Sequence, residues 1–327
     1  MSKKILITGG CGFIGSHLTE LFVKKNYEVK VFDKYNTSND FGNLENSQYL
    51  NDIEIILGDI RDYDSVKNAS RNCNHIIHLA ALISIPYSYI SPSAYIKTNI
   101  EGTYNILEVS RENKNIESII VTSTSEVYGT AQSVPINESH PIVCQSPYAA
   151  SKAAADNLAI SYKKSFDLPV NILRPFNTFG PRQSNRAIIP TIISQLLNDK
   201  DYIELGNVNV TRDFNFVTDT CDAFFQMFRK KNFNGEVYNV SSENEYKISQ
   251  IISILEDITK IKKKVKFNEI RKRPQASEVE RLIGDCTKFK NSYKWKPVFS
   301  FREGLKETYE YIKNSKVNIN KSIYYNV

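Results

Sequence analysis

Histidine, methionine and tryptophan are scarce in this chain of 327 residues: there are four, two and one. The five cysteines, Cys11, Cys73, Cys144, Cys221 and Cys286, lie far apart, with no Cys-x-x-Cys and no histidine nearby at ligand spacing. That argues against a zinc site and a disulfide framework, and it makes a reducing, cytoplasmic setting the expectation. Long hydrophobic runs are missing as well. Ile5-Leu6-Ile7 stops at a glycine loop, too short for a signal-peptide core, and no later stretch reaches bilayer length. A soluble protein with no membrane partner is expected. Neither sign of charge dominates: 42 basic residues face 36 acidic ones, a net +6. Such a balance suits anionic substrates and is too weak to argue for nucleic acid; the basic run Lys260 to Lys266 reads as a solvated face. The tail after Lys313, rich in Asn, Lys and Tyr, is expected to be loosely ordered.

What is present is alternation. Short apolar runs at Ile5–Thr8, Glu28–Phe32, Ile53–Leu57, His75–Leu79, Ile116–Thr122 and Val170–Arg174 read as strands. Amphipathic segments such as His17–Lys25, Ser93–Glu112 and Ala149–Phe166 lie between several of them. Strand and helix in repeated alternation predict an α/β fold, a doubly wound parallel sheet covered on both faces. Past Gly180 the rhythm loosens into a helix near Ile188–Leu197 and a strand pair around Asp213–Phe216 and Val237–Val240. The reading is a domain over residues 1–180 and a smaller α/β lobe over 181–327, whose chain crosses back onto the first domain.

Gly9-Gly10-Cys11-Gly12-Phe13-Ile14-Gly15 follows the first strand directly and opens a helix. Glycines there let the backbone approach a pyrophosphate, whose charge then meets the free N–H groups of the helix N-terminus at Phe13, Ile14 and Gly15. Asp33 ends the second strand, placed to accept hydrogen bonds from a ribose 2′-hydroxyl and to repel a 2′-phosphate, so NAD is expected over NADP. Asp59-Ile60 after the third strand and Leu79-Ala80-Ala81 after the fourth fit the same cradle, near the adenine and along the cofactor. Farther on, Tyr148 and Lys152 lie four apart on one helical face, where a cation beside the phenol favours phenolate and a general base. Thr124 can hold the same substrate hydroxyl. Between Thr124 and Val127 stand Ser125 and Glu126, a carboxylate in a hydroxyl-rich stretch.

These motifs resemble the extended short-chain dehydrogenase/reductase family, the nucleotide-sugar epimerases and dehydratases, over nearly the whole chain. The resemblance implies a Rossmann sheet, NAD, a nucleotide-diphosphate sugar as substrate and a homodimer. It includes Arg174-Pro175-Phe176-Asn177, in which the matching asparagine contacts the sugar nucleotide, and Arg212-Asp213-Phe214, in which the arginine meets the diphosphate. Thr124-Ser125-Glu126 is similar to the 4,6-dehydratase pattern, where 4-epimerases usually carry a small or hydroxyl residue at the position of Glu126. The closest likeness is to dehydratases of nucleotide-linked N-acetylglucosamine in legionaminic acid synthesis. It rests on Leu82 to Tyr89, Thr130-Ala131-Gln132, Gln183 to Pro190, and Arg273-Pro274 with Ser277 to Arg281. It implies substrate contacts from Ser84, Asn177, Arg182, Arg186, Arg212 and Arg281, with the choice of UDP or GDP open. Catalysis would rest on Thr124, Ser125, Glu126, Tyr148 and Lys152, with no metal. Two other readings stay open: a 4-epimerase, which has no need of Glu126, and a non-catalytic NAD-binding sensor or scaffold.

Overall fold

The structure, a computed structural model, describes residues 3–315; the tail expectation concerns residues largely outside that range. Among the described residues the strands are β1 (Lys4–Thr8), β2 (Glu28–Lys34), β3 (Ile53–Gly58), β4 (His75–His78), β5 (Ser118–Thr122), β6 (Val170–Pro175), β7 (Asn177–Phe179), β8 (Tyr202–Leu205), β9 (Thr211–Phe216), β10 (Val237–Val240), β11 (Glu245–Lys247) and β12 (Lys264–Phe267). The main helices are α1 (Phe13–Lys24), α2 (Tyr63–Ala69), α3 (Ile85–Ile90), α4 (Pro92–Tyr95), α5 (Gly102–Glu112), α6 (Pro147–Phe166), α7 (Ile188–Leu197), α8 (Val217–Lys230), α9 (Ile248–Thr259), α10 (Thr287–Tyr293) and α11 (Phe301–Asn314).

Seven strands form one parallel sheet in the order β3-β2-β1-β4-β5-β6-β10. Order reverses between β1 and β4, and in open α/β sheets the crevice outside the carboxyl ends of the strands at such a point is where ligands bind. Both faces are covered. Leu6, Ile76, Ile119 and Val121 point to one core with Val66, Ile106 and Leu107, while Ile5, Ile7, Ile77 and Ile120 point to the other with Leu18, Phe22, Phe224 and Phe228. That explains why the strands read as continuous apolar runs rather than as alternating ones.

Several elements differ from the sequence expectation, each for a local reason. α1 begins at Phe13 rather than His17, because the glycine loop passes straight into the helix. α6 begins at Pro147, with Ser146 capping it by accepting from the Ala149 N–H and proline standing where no intrahelical donor is needed. The helix expected over 93–112 is interrupted: a π turn, Ile96–Glu101, separates α4 from α5. The predicted pairing of Asp213–Phe216 with Val237–Val240 is not formed. β9 pairs with β11 and β7 instead, while β10 adds parallel to β6 at the edge of the large sheet. Tyr238, Asn239 and Val240 are all buried, as in a strand covered on both faces.

Candidate active site

At the crevice, the turn after β1 is built for close approach. Gly9 has φ +73°, and a Cβ there would lie 2.9 Å from the Ala80 backbone nitrogen. A Cβ on Gly15 would lie 2.1 Å from the Gly9 carbonyl oxygen, so only glycine lets α1 start against the turn. Gly12 stands at the N-cap of α1 with no side-chain cap, leaving the first N–H groups directed at whatever anion enters. Asp33 anchors the loop: Oδ2 accepts from the Cys11 N–H at 2.7 Å, and Oδ1 from the Lys34 N–H at 2.8 Å. Each oxygen keeps a further lone pair for a ribose hydroxyl. Among the described residues there is no cluster of side chains able to hold a metal. The cradle, its uncapped helix and its acidic strand end fit NAD.

A buried histidine ties the floor together. His78 sits between Thr8 Oγ1 at 2.7 Å and Thr103 Oγ1 at 3.1 Å. Thr103 donates to the Asn99 carbonyl and Thr8 accepts from the Ala80 N–H, so the imidazole donates through Nε2 and accepts at Nδ1. Burial pushes its pKa down to about 3, which keeps it neutral. Its role is to lock the Leu79-Ala80-Ala81 segment against β1. Asp59, expected near the adenine, has both oxygens bound by the Arg61 guanidinium at the surface. Ile60 is buried, packed against Gly102 and held by Asn105 bonding its carbonyl.

Thr124, Ser125, Glu126, Tyr148 and Lys152 are all buried. Thr124 lies two residues past the end of β5 and caps a one-turn 3₁₀ helix, Ser125–Tyr128, that presents Glu126. The Tyr148 phenol is hydrogen-bonded by Thr124 and feels the charge of Glu126. Here one electrostatic expectation is corrected. Burial raises the Tyr148 pKa above its ordinary value, opposed by Thr124 and reinforced by Glu126. Desolvation likewise acts on Lys152, lowering it from 10.5 to about 8, with Asp156 one turn away holding it up. Burial drives both groups toward neutrality.

Arg212 faces Glu126 across the pocket. Its Nε is 4.0 Å from Glu126 Oε1, its Nη2 3.7 Å from Glu278 Oε1, and Arg273 reaches the same Glu278 oxygen at 3.8 Å. Burial works against the charge of Arg212 while Glu126 and Glu278 support it. Arg273, Glu278 and Asp156 were not singled out as site residues, although Asp156 follows Lys152 by four positions, the spacing that shares a helix face. Asp156 binds Arg174 at 2.7 Å and accepts from Ser123 at 2.6 Å; Arg174 also donates to the Tyr128 hydroxyl at 2.7 Å. This buried network underlies the turn that carries Glu126.

The other sequence-derived candidates are spread wider. Asn177 on β7 donates to the Asp213 carbonyl at 3.3 Å, next to Arg212. Ser84 stands at the N-cap position of α3 without a side-chain capping bond, and its carbonyl accepts from the Tyr95 hydroxyl. Arg182 pairs with Glu20 of α1 at 3.0 Å, Arg186 is exposed, and Arg281 grips Glu245 at the surface.

Comparison with known proteins agrees with this geometry. The family model described as GDP-mannose 4,6-dehydratase matches residues 6–308. The dTDP-glucose 4,6-dehydratase of Streptomyces venezuelae, solved with NAD bound, superposes with a TM-score of 0.87 at 28% identity, covering 95% of this chain and 97% of that one. The UDP-glucuronic acid 4-epimerase of Bacillus cereus, solved with UDP-glucuronic acid and NAD, gives a TM-score of 0.87 at 30% identity, covering 95% and 99%. The UDP-N-acetyl-α-D-glucosaminuronate decarboxylase of Bacillus cytotoxicus is 31% identical over 324 residues, 96% of this chain and 98% of that one. With its doubly wound sheet, its NAD cradle and this set of relatives, the chain belongs to the extended short-chain dehydrogenase/reductase family of nucleotide-sugar dehydratases and epimerases.

Proposed function

We propose that the protein is a nucleotide-sugar 4,6-dehydratase. Its substrate would be a nucleotide-linked hexose, UDP- or GDP-N-acetylglucosamine by the motif resemblance, and its product the 4-keto-6-deoxy sugar. The observation that carries this reading is the burial of Glu126 within the electrostatic reach of Tyr148. A 4-epimerase needs the tyrosine but no base beside it.

NAD, when bound, supplies a hydride acceptor and donor. The residues of the chain do the rest. Tyr148 takes the proton of the sugar 4-hydroxyl, with Thr124 hydrogen-bonded to the phenol and Lys152 contributing positive charge nearby. Burial raises the pKa of the phenol, so its action as a base depends on positive charge held beside it. Oxidation at C4 acidifies the C5 proton, which Glu126 removes. The departing C6 hydroxyl needs an acid, and Ser125 is too weak one at neutral pH. Glu126 therefore passes the proton it has taken to the departing hydroxyl, which leaves as water with Ser125 orienting it, and Glu126, recharged with a proton from solvent, would then protonate C5 to complete the 4-keto-6-deoxy product. Arg212 and Asn177 would hold the nucleotide diphosphate and sugar, and the active species would be a homodimer.

A panel of UDP-, GDP-, CDP- and dTDP-sugars, scored by product mass, tests this. Loss of one water from an N-acetylglucosamine nucleotide supports the reading in full. Turnover of a plain glucose or mannose nucleotide alone removes the substrate assignment but keeps the chemistry. An isobaric product would mean epimerisation, and loss of carbon dioxide from a uronic acid substrate would mean decarboxylation.

A further inference from the structure

Between Lys260 and Arg273 the chain carries eight basic residues and a single acid, Glu269, a local +7 in a protein whose total is +6. The remainder of the molecule is therefore close to neutral, and the whole cationic excess is concentrated in one short stretch. Its cations are disposed unevenly. Lys263 turns inward to the carbonyls of Gln195 and Asn198, Lys260 pairs with Asp257, and Arg273 pairs with Glu278. Lys262, Lys264 and Lys272 are exposed and make no ion pair among the described residues, while Lys266 lies over the Tyr202 ring.

Charge alone would leave this a solvated face, as the sequence suggests. The fold adds apolar side chains that find no cover. β12 belongs to a two-stranded sheet with β8, and all four of its residues are exposed. Val265 is 47% exposed, Phe267 56% and Ile270 73%. Val265 and Phe267, two apart, project from the same face of the strand, and Ile270 follows on the one-turn helix Glu269–Arg271. By the same alternation Lys264 and Lys266 project from the other face, so this exposed strand has an apolar face and a cationic face, with Lys262 and Lys272 exposed at its flanks.

We propose that this patch docks the protein peripherally on an anionic lipid surface. Charge complementarity selects negative headgroups, each nearby lysine contributing attraction, and the three apolar side chains enter the boundary between headgroups and acyl chains. A polynucleotide would satisfy the lysines but leave Val265 and Ile270 in water, with Phe267 as a lone stacking platform. Binding is interfacial, since no described helix is long and apolar enough to cross a membrane.

Flotation of the full chain with vesicles is the test. The protein is expected to float with vesicles in which about a third of the lipid is phosphatidylglycerol, to stay behind with pure phosphatidylcholine, and to be released at about 0.5 M salt. Two variants separate the contributions: K262E/K264E/K272E should weaken binding about a hundredfold or more, at roughly fivefold or more for each lysine. V265S/F267S/I270S should weaken binding at low salt while leaving the salt dependence in place. Both should keep wild-type circular dichroism and turnover, because none of these residues lies in the catalytic pocket. Equal flotation with neutral vesicles, no flotation at all, or unchanged binding by either variant would overturn the proposal. So would tighter binding to a single-stranded polynucleotide that V265S/F267S/I270S leaves intact.

Discussion

Arg212 Nε lies 4.0 Å from Glu126 Oε1, and both side chains are buried. The guanidinium gives this buried carboxylate a counter-charge beside the tyrosine. Glu126→Gln removes the base and keeps the shape. The variant should lose water elimination by about 10²–10⁴-fold while still oxidising the sugar, seen as reduced-cofactor absorbance that rises and persists. Elimination at the wild-type rate would assign the base elsewhere. Arg212 keeps Glu278 as a counter-charge in this variant, so its melting temperature should move little.

Cofactor retention should hinge on Gly15. Its Cβ would sit 2.1 Å from the Gly9 carbonyl, a backbone atom that can yield only by moving the loop, whereas at Gly12 the same oxygen would be 3.1 Å away. Gly15→Ala should purify with little or no NAD and lose about 1–3 kcal/mol of stability. Gly12→Ala should be the milder of the two. The nucleotide released on heat denaturation, quantified per mole of protein, measures the difference.

Lys152 makes stability depend on pH in an unusual direction. Its pKa falls from 10.5 in the unfolded chain to about 8 in the fold, chiefly through desolvation. Between these values the unfolded state holds a proton that the folded state lacks, so this group makes stability rise with pH across that window. Below pH 8 both states are charged and the folded one bears the full desolvation cost, on the order of 3 kcal/mol. Lys152→Met should therefore be more stable than the parent at pH 7, with the advantage shrinking toward pH 10.5, while turnover collapses. Urea melts at pH 7 and pH 10 check the sign.

The Arg174–Asp156 pair, with both side chains 2% exposed, supports the Glu126 turn through Ser123 and Tyr128. Arg174→Met alone strands a buried carboxylate, whose second oxygen already lacks a donor, and should cost about 3–5 kcal/mol. Arg174→Met with Asp156→Leu should be less destabilising than Arg174→Met alone. Turnover should stay low in both, because neither restores the bonds to Tyr128 and Ser123. A double-mutant cycle in denaturant, run beside activity, separates the stability effect from the positioning effect.

How far the sequence carried the account depended on how local each feature is. The glycine loop and Asp33 lie within one βαβ unit, and Tyr148 and Lys152 within two turns of one helix, so spacing alone revealed them. Arg212 was legible as a motif, but its partnership with Glu126 joins the start of β9 to the 3₁₀ turn after β5, brought together only by the fold. Asp156 was overlooked because a carboxylate on a helix ordinarily faces water; its burial comes from Arg174, a residue on another element. The Tyr148 pKa went the wrong way for a similar reason. Proximity of Lys152 can be read from spacing, but desolvation cannot, and burial outweighs the rest. The strand at Val237–Val240 was legible but its partner was not, because a four-residue strand does not say which sheet it will join, and here β10 completes the large sheet rather than pairing with β9.

The central claim is that Glu126 turns an oxidation at Tyr148 into loss of water. The measurement that meets it most directly is the mass of the product formed from each nucleotide sugar by the wild-type protein and by Glu126→Gln. Wild type should give a product lighter than its substrate by one water, and the variant should give none of it. An isobaric product from wild type, or an undiminished yield of the dehydrated sugar from Glu126→Gln, would contradict the account.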